Sequence, residues 1–207
     1  ALRLQELGGS IAASPAEALR GAELVFTIVP NDNALLGLLD DAFLSALPAG
    51  SVVVEMTSAS AAAAEKAAAL CAAHGVSLLD APVSGGVKGA ASGTMSMLCA
   101  GDRNVFDRVA PVLGDIAGKL CYVGEKPGQG KIIKSLNNLL SAINKTAVGE
   151  AWQMAEAHGV DPDAFFDAVS ASSGDSAALR ASFPKIRSGD YAPGSTVALM
   201  RKDLVLA

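Results

Sequence analysis

Three short stretches hold the residue types best suited to chemistry. The first, D-A-P-V-S-G-G-V-K-G-A at residues 80–90, directly follows an apolar run. Its consecutive glycines free the backbone to turn several N–H groups toward one point, an anion-binding nest, and Ser84 adds a hydroxyl donor. A small carboxylate would fit there; on local physics alone a flexible Gly/Ser connection fits equally well. The second is G-Q-G-K-I-I-K-S-L-N-N at residues 128–138. On a helix, Lys134 and Asn138 stand at i, i+4 and share a face. An ammonium and an amide aimed together can hold and protonate a carbonyl oxygen. The bland alternative is that Lys131 and Lys134 are solvated helix lysines, although an Asn pair in an apolar helix needs partners if it is buried. A phosphate-binding P-loop is excluded, because Glu125 stands where its first glycine belongs and Ile132 where its Ser/Thr belongs. The third stretch, M-R-K-D-L at residues 200–204, reads by itself as a charged helix face.

The elements that must position these groups follow from the hydrophobic pattern. Residues 2–7 read as the end of a helix, and Ser14-Pro15-Ala16-Glu17 opens another with a capping Ser and a first-turn Pro. Apolar runs at 23–29, 51–56 and 76–80 predict buried parallel strands. Residues 94–99 form a fourth, alternating strand, and 120–123 an edge strand. Helices are expected at 34–47 and 60–74 in between. Past Gly130 no strand is expected: one long helix covers 132–157, another 161–170, and a third 196–206. Strands alternating with helices imply a Rossmann-type, mostly parallel α/β sheet, here followed by an all-α domain. The expected boundary places the α/β domain at 1–127 and the helical domain, which begins with a long interdomain helix, at 128–207.

Composition narrows the function. With 51% hydrophobic and 18% charged residues among 207, the chain has ample core material and no signature of disorder. A net charge of -5, a pI near 5.0 and 4% aromatics argue against nucleic acid or anionic membrane as partners. Cys71, Cys99 and Cys121 form no CxxC pair and have no His at ligand spacing, so no zinc site or disulfide framework is expected. His74 and His158, both in A-H-G-V, read as helix C-terminal residues interacting with the dipole. Glu65 and Lys66 interrupt the alanine-rich stretch, so no membrane span is expected. No signal peptide is read, and a cytoplasmic protein is the expectation.

Taken together, the three stretches resemble the β-hydroxyacid dehydrogenase family, typified by 3-hydroxyisobutyrate dehydrogenase and tartronate semialdehyde reductase. That family carries D-A-P-V-S-G-G-x-x-G-A, then G-x-G-x-x-x-K-x-x-N-N, then a late K-D-L, and all three occur here in that order. T-I-V-P at 27–30 and V-E-M-T-S at 54–58 also look like the family's cofactor-lining strand ends. The resemblance implies that Ser84, Gly85 and Gly86 bind the substrate carboxylate. Lys134 is implied as the acid/base, with Asn138 orienting the substrate. Val29, Pro30 and Ser58 are implied to line NAD or NADP, and Lys202 to lie by the nicotinamide. 6-Phosphogluconate dehydrogenases resemble this helix but have His where Asn137 stands, and imine reductases usually replace the lysine kept here as Lys134. The implied function is hydride transfer between a nicotinamide cofactor and a small 2- or 3-hydroxy acid or its semialdehyde, in a homodimer or homotetramer. The alternative is a non-catalytic member using the same cleft for binding or assembly. The family's G-x-G-x-x-G turn, which seats the pyrophosphate on a helix N-terminus, does not occur in these 207 residues. Residues 1–207 alone are therefore expected to bind NAD or NADP weakly. The 23–29 strand is expected to present an apolar edge.

Overall fold

The computed structural model describes residues 5–192 and 196–206. Of the helix end expected at 2–7, residues 2–4 lie outside that range, and Gln5 and Glu6 are helical. Helix α1 (Pro15–Leu19) opens as expected, with Ser14 Oγ accepting from the Glu17 amide. Three short strands, β1 (Leu24–Thr27), β2 (Val52–Glu55) and β3 (Ser77–Asp80), pair in parallel, Leu24 beside Val52 and Val52 beside Ser77. In β2 and β3 the apolar runs do not alternate with polar residues because both faces are covered, whereas β1, at the sheet edge, leaves Phe26 exposed. Val53 and Leu78 enter one core with Leu35, Phe43, Ala63 and Cys71. Val52, Val54 and Leu79 enter the opposite core with Met97, Phe106 and Leu113.

The sheet then departs from pure parallel pairing. A two-residue strand, β4 (Val83–Ser84), continues from β3, and both run antiparallel to β5 (Ser96–Ala100). β6 (Lys119–Gly124) closes that side in parallel with β5. The sheet is thus mostly parallel, with one reversal beside the Gly-rich stretch.

Several helices differ from the sequence expectation. The single helix expected at 34–47 is two, α2 (Asp32–Leu38) and α3 (Asp41–Ser45). Asp40 breaks it by turning its carboxylate onto the Phe43 amide at 2.8 Å, a new N-cap in mid-segment. α4 (Ala61–Ala73) ends at His74 as expected. The Gly-rich stretch itself contains a helix, α5 (Gly86–Ser92), where sequence suggested only a loop. α6 (Arg103–Ile116) is a further element not foreseen; Asp102 caps it, and Pro111, normally a helix breaker, lies inside it.

By contact the chain divides into two compact units, residues 1–134 and 135–207. α7 (Gln129–Ala157) runs from the first into the second, starting three residues earlier than the apolar pattern indicates. The second unit is helical: the rest of α7, α8 (Pro162–Ser170), α9 (Ala177–Ser188) and α10 (Val197–Val205). α9, with Pro184 inside, is again an element the sequence reading lacks. This unit's core is aromatic, with Trp152 and Phe183 ring centroids 5.2 Å apart beside Leu179 and Val148. No helix among the described residues is long and apolar enough to cross a membrane.

Candidate active site

The carboxyl ends of β1 and β2 lead to the residues that the resemblance implies for the cofactor, at the edge where open α/β sheets bind ligands. Val29 and Pro30 follow β1, and Ser58 follows β2. The two exits are tied together, since the Val29 amide donates to Thr57 Oγ1 at 3.1 Å. Ser60 adds a second tie, donating to the Asp32 carboxylate from its amide at 2.9 Å and its hydroxyl at 2.6 Å. Val29 and Ser58 are half-buried, and Pro30 is exposed. Apolar strand ends beside a hydroxyl suit the flat rings and sugars of a dinucleotide, so these residues fit that cofactor. They do not themselves supply a glycine-turn seat for its pyrophosphate.

Beneath this edge lies a charge cluster. Lys131, in the first turn of α7, is 1% exposed and is not the solvated lysine the bland reading allowed. Its ammonium stands 2.5 Å from Glu55 Oε2 and 2.9 Å from Asp80 Oδ1, and it donates to the Glu55 carbonyl at 3.1 Å. Neither of those carboxylate oxygens accepts a well-aligned hydrogen bond, so the ammonium is their ionic partner. The other oxygens are hydrogen-bonded. Glu55 Oε1 accepts from the Thr57 amide at 2.8 Å, and Asp80 Oδ2 accepts from the amides of Gly128 and Lys131 at 2.8 and 3.2 Å. Asp80 therefore caps α7 from a distant strand, where a carboxylate also meets the positive end of the helix dipole. Gly130 is required by this approach: a Cβ there would lie 2.5 Å from the Leu98 carbonyl oxygen. Cys99 sits nearby, its thiol pushed up to about 12 by burial first and by the Asp80 and Cys121 charges second.

The stretch that the resemblance implies for the substrate carboxylate begins four residues after Asp80. Ser84 is half-buried at the end of β4, while Gly85 and Gly86 are exposed and take positive φ of 142° and 61°. Both angles favour glycine, and the turn they make starts α5. Met95 packs under this turn, its Cα 3.3 Å from where a Gly85 Cβ would be. Lys134 follows one turn after Lys131 on α7 and is half-buried. The cluster thus joins the strand leading to Ser84 with the helix carrying Lys134.

In the second unit, Asn138 and Lys202 come together through a residue the sequence reading did not single out. Asn138 Nδ2 donates to Asp203 Oδ2 at 2.9 Å, and the Lys202 ammonium lies 2.9 Å from Asp203 Oδ1. Asp203 supplies the partner that a half-buried Asn requires. Asn137 is exposed and points its amide to Asn138 Oδ1 at 3.4 Å. Glu55, Asp80 and Lys131 were missed as well. The available signal was an acid ending each of two apolar strands, V-V-V-E and S-L-L-D. Among the described residues no group of His, Cys, Asp and Glu forms a metal site.

Residues 1–124 match the family model described as the NAD binding domain of 6-phosphogluconate dehydrogenase. Residues 128–207 match the model described as NAD-binding of NADP-dependent 3-hydroxyisobutyrate dehydrogenase. A 3-hydroxyisobutyrate dehydrogenase from Pseudomonas aeruginosa is 34% identical, aligned over 100% of this chain and 72% of its own length. An L-threonate dehydrogenase from Cupriavidus necator is 36% identical over 98% of this chain and 69% of its own. The solved Mycobacterium tuberculosis 3-hydroxyisobutyrate dehydrogenase with L-serine is 33% identical with a TM-score of 0.87, covering 94% of this chain and 69% of that one. The chain belongs to the β-hydroxyacid dehydrogenase family, as a 3-hydroxyisobutyrate dehydrogenase-like, NAD(P)-dependent oxidoreductase of hydroxy acids.

Proposed function

We propose that the substrate is a small 2- or 3-hydroxy acid, or the corresponding semialdehyde in the reverse direction, and that Lys134 is the acid/base. The Ser84 hydroxyl and the Gly85 and Gly86 amides hold the substrate carboxylate. Neutral Lys134 takes the hydroxyl proton during oxidation and, as the ammonium, returns it to the carbonyl oxygen during reduction. Asn138 orients the reacting oxygen through its amide. NAD or NADP, held there, would supply the hydride chemistry. Val29, Pro30, Ser58 and Lys202 line the cofactor, residues 1–127 serving as its domain and 128–207 as the substrate and oligomerisation domain of a cytoplasmic homodimer or homotetramer. The observation carrying this reading is the start of α7: Asp80, four residues before Ser84, binds the helix turn that leads to Lys134.

The test is Lys134→Ala in the full-length protein, assayed with NAD and NADP against a panel of hydroxy acids. Turnover should fall by roughly 10²–10⁴-fold, the scale of general acid–base groups. Near-normal turnover with an intact fold refutes the assignment. Replacing the substrate by its uncharged methyl ester should also sharply lower kcat/KM; equal values for acid and ester refute the carboxylate nest.

A further inference from the structure

One buried charged group is not used by that chemistry. Lys131 heads the fully buried side chains by volume, and both of its carboxylate partners are 0% exposed. Two carboxylates and one ammonium leave a net negative charge inside the first unit. Burial of such a group costs desolvation, which well-packed apolar side chains of similar volume would avoid; what it can provide instead is a unique geometry. Here that geometry is over-determined. Nζ reaches two carboxylates and a carbonyl on two different strands, and the backbone amide of the same residue donates to Asp80. Sliding or rotating the first turn of α7 breaks several of these contacts together.

We propose that Lys131 is a positioning residue for Lys134: it sets the height and rotation of the first turn of α7, and hence where the Lys134 ammonium stands. This rests on the reading of Lys134 as acid/base. Charge balance is a separate role, and two variants of the full-length enzyme separate it from positioning. Lys131→Met/Glu55→Gln keeps the net charge of the cluster and removes the pin. Lys131→Arg keeps the cation but places a longer, planar group in a closed site. Both should show kcat reduced by about 10- to 100-fold, the scale expected of a displacement near 1 Å. The KM for the hydroxy acid should stay within about threefold, and the solvent isotope effect on kcat should rise as proton transfer becomes limiting.

The outcomes are separable. Wild-type kcat in a folded sample of either variant overturns the proposal. So does a loss that merely follows the folded fraction measured by circular dichroism. If neither variant folds, Lys131 serves the fold itself and the positioning role is withdrawn. Lys134→Ala, run in parallel, divides the two readings. Retained turnover there removes the acid/base role and this inference with it, whereas lost turnover there with wild-type Lys131 variants removes this inference alone.

Discussion

Gly130→Ala offers a sharp test of how α7 meets the sheet. The added Cβ would fall 2.5 Å from the Leu98 carbonyl oxygen and 2.9 Å from Asp80 Oδ2. Neither neighbour yields easily, since Leu98 is held in β5 and Asp80 caps the helix while pairing with Lys131. Restoring ordinary contact requires α7 to withdraw by about 1 Å, an overpacking strain of about 1–3 kcal/mol. In a chain of this length each kcal/mol moves Tm by roughly 2–4 °C, so a 2 kcal/mol loss lowers it by roughly 4–8 °C. Lys134 rides on the displaced turn, and kcat should fall by up to about 100-fold. Gly149→Ala on the same helix is the contrast: an added Cβ there meets nothing within 4 Å, and removing a mid-helix glycine should stabilise by up to about 1 kcal/mol. Thermal melts and initial rates of both variants decide the matter. A Gly130→Ala protein that melts with wild type and turns over normally would refute the packing argument.

Two further outcomes follow from groups away from the reaction. The His74 pKa is raised above 6.5, first by its hydrogen bond to Asp41 and then by that to the Leu70 carbonyl. A raised folded pKa contributes stability that is full below the unfolded pKa and is lost as pH rises through the folded one. Asp41→Asn should therefore destabilise at about pH 5.5 and have no effect at about pH 9; equal melting shifts at both would contradict this. Cys71 and Cys99 are fully buried, with pKa pushed to about 11 and about 12 mainly by burial. A thiol reagent at about pH 8 should find at most Cys121 in the native protein and all three after denaturation, because reactivity requires an accessible thiolate.

β2 was legible because burial on both faces leaves an unbroken apolar run, V-V-V-E, and β1 because E-L-V-F-T-I-V is rich in β-branched and aromatic residues, although Phe26 and Ile28 are exposed. The family motifs identified the stretches around Ser84 and Lys134 for the same kind of reason: their glycines answer local demands, positive φ at Gly85 and close approach at Gly130. The helices missed at 103–116 and 177–188 each contain a proline, whose local penalty tertiary packing of Phe106, Leu113, Leu179 and Phe183 offsets. The break at Asp40 was hidden because an acid within an amphipathic pattern serves equally as a solvated face or as a cap. Which of two lysines three residues apart is buried was not locally encoded at all. That depends on Glu55 and Asp80, 76 and 51 positions away in sequence.

Asp80 links the stability of the α7 start to the chemistry proposed for Lys134. One of its oxygens caps α7 and the other pairs with Lys131, while its backbone leads through β4 to the proposed carboxylate nest. A residue used only for folding would gain from an uncharged acceptor, which could cap the helix without a buried ion. The charged form is of use only if the cation opposite must stay in place, because removing either partner leaves the other buried without compensation. Any change that loosens the cluster therefore acts on two strand ends and one helix turn at once. Local rules are broken at this edge, with three buried charges and a carboxylate capping a helix half a domain away in sequence. Such violations concentrate where a site must be held rigidly, and here they surround the turn that presents Lys134.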